Sequence, residues 1–271
     1  MRNFIREKKI YCGDKYLEVD IYSYTKNQTI NSKSGKRSKK KNITEPKQKN
    51  LNDKNARRYL TQLANTNFDE RDLHVTATYK DKYLPKTIEE AEKEVTNYLR
   101  RLSYRRKKQG LSPLKYILVT EYNTKKGEEK PIRIHHHIFI NGGLDRDIVE
   151  DLWCKRKKKG EKKGEMIGYV NADRLQPDEN GVAALCTYLT KNPNGKKRWS
   201  SSQNLEKPWY RNNDHKYSRR EISKIAKEPP DISYWERRYP GWTISKNDYA
   251  VRMEYNEYTG WSFYLKLRKR D

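Results

Sequence analysis

Hydrophobic and polar residues in the middle of the chain alternate over four short segments. Such alternation is typical of a β-strand with one buried face, because successive side chains of a strand point to opposite faces. It predicts strands at Leu73–Tyr79, Tyr116–Glu121 and Ile132–Ile140, with a fourth at Met166–Val170.

Between and after these strands, apolar residues recur at helical spacing and predict three helices. Thr87 and Glu90 form a capping box that begins the first helix, Asp145 begins a short second helix, and Gly181–Lys191 is the third. The order β-α-β-β-α-β-α is that of a ferredoxin-like, or split β-α-β, antiparallel sheet with helices packed on one face. We therefore expect an α+β fold whose other sheet face is free for a site.

The flanking segments have a different character. Alternation predicts an N-terminal strand at Lys15–Tyr24, whereas Ser32–Arg58, with eleven Lys/Arg and two acids, is expected to be a mobile basic N-terminal arm. Asp53 is expected to cap the helix that follows. Two further strands joined near Asn256–Gly260 predict a small C-terminal β addition, packed on the core or against the N-terminal strand. The predicted domains are 1–55 (N-terminal strand and basic arm), 56–210 (central domain) and 211–271 (C-terminal β-containing extension).

The composition narrows the class of partner. The 271 residues include 61 Lys+Arg and 36 Asp+Glu, for a net charge of +25, so a polyanionic partner is expected. The 21 tyrosines and six tryptophans add rings able to stack on bases. No apolar run approaches the length of a membrane span, and the three cysteines are widely separated, which argues against a disulfide framework or a thiolate zinc site. We expect a soluble, cytoplasmic protein.

Three of the five histidines are consecutive within the third predicted strand. Alternation places His135 and His137 on one face with Arg133, and His136 on the other face with the neighbouring isoleucines. Two neutral imidazoles on one face are candidate ligands of a divalent metal. A hairpin centred near residue 128 would bring Glu121 opposite His135 and complete the set. The alternative is that the histidines merely tolerate a half-exposed strand and that Glu121 is a surface charge.

Tyr188 and Lys191 lie three residues apart on the last predicted helix of the core. Both lie off its apolar stripe, so they can act together on something outside the core. The alternative is an ordinary boundary tyrosine beside a solvated lysine. The stripe consists of Val182, Leu185, Cys186 and Leu189.

The strand Thr76-Ala77-Thr78-Tyr79, the histidine strand preceded by Glu121, and Tyr188-Leu189-Thr190-Lys191 resemble, in order and spacing, the motifs of the HUH endonucleases. The closest resemblance is to the single-tyrosine rolling-circle replication initiators of small phages, plasmids and integrated elements in bacteria, over roughly residues 56–210. The chain departs from the pattern at His136, where a bulky hydrophobic residue is usual, and at Ala77, where leucine is usual.

The resemblance implies an HUH-type nuclease fold and a metal-dependent nickase that joins the 5′ phosphate of one DNA strand to tyrosine. His135, His137 and Glu121 would hold Mg or Mn, Tyr188 would be the nucleophile, and Lys191 would stabilise the phosphate or phenolate. The implied partners are single-stranded DNA at a replication origin and a host helicase and polymerase, in the cytoplasm of a bacterial host and without a membrane.

The basic segments fit this chemistry, and His74 is expected to be incidental. One alternative function is a single-tyrosine HUH transposase that uses the same residues. Another is a non-catalytic, RRM-like nucleic-acid-binding protein, which would lack the usual aromatic motif and leave the histidines without a role. The predicted DNA-contacting residues are Thr76, Thr78, Arg133, Lys155, Arg156, Lys157 and Lys158.

Overall fold

The computed structural model describes residues 4–25, 46–122, 133–157, 159–160, 164–190, 199–245 and 250–270. The chain divides into two compact units. The flanking unit comprises Met1–Thr66, Asp178–Gly181 and Lys207–Asp271, and the central unit comprises Asn67–Pro177 and Val182–Glu206. The domain limits predicted from the sequence remain predictions. No helix within the described ranges is long and apolar enough to cross a membrane.

Eleven strands and six α-helices make up the described chain, with one short 3-10 helix at Asp81–Tyr83. In chain order they are β1 (Phe4–Cys12), β2 (Tyr16–Tyr24), α1 (Pro46–Asn67), β3 (Leu73–Ala77), α2 (Ile88–Lys108), β4 (Tyr116–Glu121), β5 (His135–Ile140), α3 (Arg146–Asp151), β6 (Val170–Arg174), α4 (Ala183–Leu189), β7 (Ser200–Ser201), β8 (Trp209–Asn213), α5 (Arg219–Lys227), α6 (Ile232–Arg238), β9 (Trp242–Ile244), β10 (Val251–Asn256) and β11 (Gly260–Lys269).

The central unit is built on a five-stranded antiparallel sheet with the order β6-β3-β5-β4-β7. Its first four strands have the order of a ferredoxin-like sheet, so the predicted α+β fold is confirmed. One sheet face packs on α2 and α3. Val75 and Ile138 of the sheet meet Val95, Tyr98 and other apolar residues there in a single buried cluster.

The beginning of α2 follows the capping signal in the sequence. The backbone N–H of Glu90 donates to Thr87 Oγ1 at 3.2 Å, which satisfies one of the free donors of the first turn. The Glu90 carboxylate accepts from the backbone N–H of Lys86 at 2.8 Å, one residue before the usual partner. Asp145 likewise begins α3, since its side chain accepts from the N–H of Asp147.

The predicted fourth strand is displaced along the chain: the regular strand is β6, Val170–Arg174, and not Met166–Val170. Gly168 explains the shift, because a Cβ there would lie 1.9 Å from the carbonyl oxygen of Thr78. The chain crosses the end of β3 at close range, a path that only glycine permits, and regular pairing with β3 begins after it. Met166 makes only an isolated bridge to Cys154.

The flanking unit contains a second antiparallel sheet, with the order β10-β11-β2-β1-β8 and β9 paired to β11. The predicted β10–β11 hairpin and its pairing with the N-terminal strand β2 are confirmed. The sequence did not predict β1, α5 or α6. Together they enclose a core of their own, in which Val19, Leu265 and Trp235 are almost fully buried.

The predicted mobile basic arm is wrong for its C-terminal part. Helix α1 begins at Pro46, so Asp53 lies inside the helix and does not cap it. Arg58 ends the predicted arm, but its guanidinium binds Glu18 at 2.7 Å and Asp20 at 2.6 Å on the sheet. Three residues that are far apart in sequence form this ion pair, which is why composition alone did not indicate it. Residues 26–45 lie outside the described ranges.

Candidate active site

Pairing of β4 with β5 determines where the candidate ligands meet. The register sets Glu121 opposite His135 and Val119 opposite His137. It confirms the hairpin register predicted from the sequence, although the connecting residues 123–132 lie outside the described part of the chain. Glu121, His135 and His137 therefore emerge on one sheet face, the face opposite α2.

These three side chains form a compact group. Glu121 Oε2 lies 3.1 Å from His135 Nε2 and 3.7 Å from His137 Nε2. One ligand atom from each residue lies within 4.8 Å of the others, close enough for all three to hold one metal ion. The donor set of two imidazoles and one carboxylate suits a divalent ion that retains open positions.

The protonation of His135 supports such an ion. Its Nδ1 lies 2.8 Å from the carbonyl oxygen of Arg133, and since a carbonyl can only accept, Nδ1 carries the proton. In the neutral ring the lone pair of Nε2 then faces the Glu121 carboxylate. Two electron-rich atoms at that distance repel each other unless a cation lies between them.

His137 offers a second lone pair. Its Nε2 is buried and lacks a hydrogen-bond partner among the described residues, which is uncommon for a buried polar atom. Burial, together with the neighbouring His135 and His74, lowers the pKa of His137 to about 3, so the ring is neutral at physiological pH. The orphaned atom and the donor set fit a bound divalent metal.

His74 supports His137 from the adjacent strand β3. His74 Nε2 lies 3.2 Å from His137 Nδ1, and Thr76 Oγ1 lies 3.3 Å from the same atom. The two imidazole rings lie within 16° of parallel, with centroids 5.3 Å apart. The expectation that His74 is incidental is therefore wrong. Alternation of β3 could have revealed it, because His74 and Thr76 share a face, but the pairing of Thr76 with His137 depends on the sheet order.

His136 has different surroundings. It is fully buried on the face that packs against the helices, where Nε2 lies 2.7 Å from the hydroxyl of Tyr79 and Nδ1 lies 2.9 Å from Thr120 Oγ1. Burial lowers its pKa to about 3, with a smaller contribution from the neighbouring histidines. Strand alternation predicted this separation of His136 from His135 and His137, and both of its nitrogens are engaged inside the protein.

Tyr188 lies beside the ligand group on α4. Cys186 and Leu189 anchor the helix by burial, while Tyr188 is 64% exposed. Its ring meets the edge of His137 with centroids 6.3 Å apart. A solvent-accessible phenol therefore lies next to a candidate metal ligand. Lys191, predicted as its partner, lies outside the described residues.

The site face is more covered than expected. Ile117, Val119 and Phe139 lie on the same face as His137 and are each at most 4% exposed. Phe68 packs against Phe139 with ring centroids 5.9 Å apart. The expectation of a free second face is thus wrong for most of the sheet. The opening is confined to the end that carries Glu121, His135 and Tyr188.

The predicted DNA-contacting residues are spread over the central unit. The Thr78 hydroxyl donates to the carbonyl of Tyr169, while Arg133 pairs with Asp81 and donates to the carbonyl of Tyr79.

The basic residues after α3 lie elsewhere. Lys155 pairs with Glu94 of α2 at 2.8 Å, which places it on the helix-covered side of the sheet, away from the histidine face. Arg156 and Lys157 are exposed, and Lys158 lies outside the described residues.

Comparison with known proteins identifies the family of the central unit. Residues 72–193 match the model of the ORF2-type family of replication-associated proteins, a rolling-circle Rep family. The matched segment includes Glu121, the histidine strand and Tyr188. No curated protein and no solved structure gives a significant match. Through residues 72–193, which also carry a His-His-Glu group consistent with an HUH motif, the chain belongs to the ORF2-type family of replication-associated proteins.

Proposed function

We propose that the chain initiates rolling-circle replication by nicking single-stranded DNA at its origin, with Tyr188 as the nucleophile. The observation that carries this proposal is the position of Tyr188, exposed to solvent and in ring contact with His137 of the Glu121–His135–His137 group. A phenol in that position is accessible to a DNA strand and adjacent to the groups that would hold its phosphate.

Glu121, His135 and His137 would hold the metal, either Mg or Mn. A bound ion supplies Lewis acidity, which withdraws charge from a phosphate oxygen and makes the phosphorus easier to attack. The protein orients its ligands. Arg133 fixes the tautomer of His135 through its carbonyl oxygen, and His74 with Thr76 contacts the far nitrogen of His137. Such outer contacts keep the lone pairs directed at one point.

The reaction exchanges one phosphodiester bond for another. The phenolic oxygen of Tyr188 forms a bond to the scissile phosphorus, the bond from phosphorus to the 3′ oxygen breaks, and the phenolic proton ends on that 3′ oxygen. The products are a 5′-phosphotyrosine and a free 3′ hydroxyl that can prime synthesis. Because the new bond is again a phosphodiester, the reverse reaction can rejoin strands.

Several parts of the proposal rest on the sequence resemblance. They are the role of Lys191 as a stabilising cation, the extent of the nuclease domain over residues 56–210, the cytoplasmic location, and the host helicase and polymerase. Among the predicted DNA contacts, Thr76 lies closest to the ligand group, since its hydroxyl contacts His137.

A covalent-adduct assay tests the nucleophile. The protein is incubated with Mg or Mn and with labelled single-stranded fragments that tile its own gene and flanking DNA, then run on a denaturing gel. We expect a stable protein–DNA adduct that chelator and Tyr188→Phe abolish. Tyr169→Phe is the matched control, since Tyr169 is a tyrosine of the same unit that is 78% exposed. An adduct that persists in Tyr188→Phe would refute the assignment.

A further inference from the structure

Strand β8 presents two aromatic side chains at an edge of the flanking sheet. All five of its residues are exposed, with Trp209 51% and Tyr210 59% accessible. Among the described strands, only β1 pairs with it, so its outer side is an open edge. Proteins usually protect such edges, and an exposed tryptophan and tyrosine at this position call for a partner.

The ring of Trp209 is held in a fixed orientation. It stacks on Tyr11 of β1 with ring centroids 4.0 Å apart and planes within 9° of parallel. Tyr11 in turn meets Trp242 edge-on at 6.2 Å. One face of the indole is therefore covered by protein, and the exposed half of the side chain forms a rigid flat surface. A ring already held in place loses little conformational entropy when a ligand stacks on it.

Each exposed ring has a cation beside it. The Arg211 guanidinium lies 5.5 Å from the ring centroid of Trp209, and the Lys8 ammonium lies 4.4 Å from that of Tyr210. Residues 6–9 and 209–216 together contain five Lys/Arg and two carboxylates. Both carboxylates are already paired, Glu7 with Lys216 and Asp214 with Arg6. The edge thus combines flat aromatic rings with a local excess of positive charge.

We infer that Lys8, Trp209, Tyr210 and Arg211, which we call the β8 edge site, bind single-stranded DNA by base stacking. Unpaired bases present open π-faces to an aromatic ring, and cations beside the ring attract the adjacent phosphates. Duplex DNA fits poorly because its bases are stacked on one another. The inference does not depend on the nicking reaction, since all four residues belong to the flanking unit.

A binding titration tests the site in the whole chain. Fluorescent oligothymidine is titrated in the presence of EDTA at about 200 mM salt, where non-specific phosphate contacts are weakened. We expect Trp209→Ala to weaken oligothymidine binding about fivefold or more, with a smaller loss for Arg211→Gln and little change in binding to an unrelated duplex. Tyr258→Ala is the matched control, because Tyr258 is an aromatic residue of the same unit that is 95% exposed.

Three results would overturn the inference. The first is equal oligothymidine affinity in Trp209→Ala and Tyr258→Ala, and the second is an equal loss of duplex and single-strand binding. The third is a concentration-dependent dimer in sedimentation that Trp209→Ala dissociates, which would make the edge a contact between two copies of the chain.

Photocrosslinking of the unaltered protein provides a test that does not rely on a substitution. With oligonucleotides that contain 5-iododeoxyuridine, we expect crosslinked peptides that contain Trp209 or Tyr210. Crosslinks confined to residues 67–206 would contradict the site even if Trp209→Ala failed to fold. Stronger crosslinking by the corresponding RNA would contradict the assignment to DNA.

Discussion

His74 Nε2 lies 3.2 Å from His137 Nδ1, so one histidine of the site is oriented by another on the neighbouring strand. For Nε2 of His137 to bind a metal, its Nδ1 must carry the proton and donate it to His74 or to Thr76 Oγ1, 3.3 Å away. His74 is therefore a positioning residue that acts through His137.

This relationship predicts the behaviour of His74→Phe. The substitution preserves a flat ring but removes the acceptor, and loss of an outer-shell partner typically lowers metal affinity about 10–100-fold. Binding of Mn to the protein, followed by the electron paramagnetic resonance of the free ion, measures the effect without any activity assay. His215→Phe, a change to an exposed histidine of the flanking unit, is the control and should bind Mn as the unaltered protein does. Equal affinity in the two variants would show that His74 has no positioning role.

His136→Leu should show the opposite pattern. It leaves the hydroxyls of Tyr79 and Thr120 without their buried partner, at a cost of about 2–4 kcal/mol in the free energy of unfolding. Mn affinity should stay within about twofold, since the side chain lies on the other face of the sheet. Denaturant titration and Mn binding on the same preparation test both parts. A large loss of Mn affinity in a folded His136→Leu variant would mean that the middle histidine is a ligand.

Low pH should destabilise the metal-free protein. The pKa of His136 and of His137 is lowered to about 3 in the folded state, whereas an unfolded histidine titrates near 6.5. Below that value the unfolded chain binds protons that the folded chain does not, so stability is complete above about pH 6.5 and falls as the pH drops toward 3. Each histidine should contribute about 1 kcal/mol per pH unit to the slope.

Chemical unfolding in EDTA at a series of pH values from about 7.5 to 4.5 measures this slope, which spans the titration of an unfolded histidine. His136→Leu should show a shallower dependence than the unaltered protein, because one of the groups that take up a proton on unfolding is gone. Identical slopes would contradict the neutral, buried state of His136.

Arg58 is predicted to stabilise the flanking unit. Its guanidinium neutralises Glu18 and Asp20, which are both less than a tenth exposed. Arg58→Leu leaves two buried carboxylates uncompensated and should lower the free energy of unfolding by about 3 kcal/mol. Lys54→Leu on the same helix removes an exposed ion pair with Glu254 and should cost less than about 1 kcal/mol. Equal effects in a denaturant titration would contradict this role of Arg58.

Local patterns in the sequence predicted the central strands, the caps at Thr87 and Asp145, and the separation of His136 from its neighbours. Each depends on the two-residue period of a strand or on a cap within one helical turn. The displaced β6 and the role of His74 depend on close approaches between distant segments, at Gly168 with Thr78 and at His74 with His137. Spacing along the chain does not encode those approaches.

The flanking unit was underestimated for the same reason. Its core joins strands from both ends of the chain, so neither end alone contains enough apolar residues to indicate a folded unit. Arg58 shows this most clearly, because a basic residue in a polar stretch becomes structural only once Glu18 and Asp20 lie beside it.

The most direct test of the central claim is the identity of the bond between protein and DNA. The adduct formed with Mg or Mn is digested with protease and nuclease, and the peptide that carries nucleotide is sequenced by mass spectrometry. We predict a nucleotide joined through its 5′ phosphate to Tyr188, with the other cleavage product ending in a 3′ hydroxyl that a polymerase extends. Attachment to another residue, or a nick whose two ends are both free of protein, would contradict it.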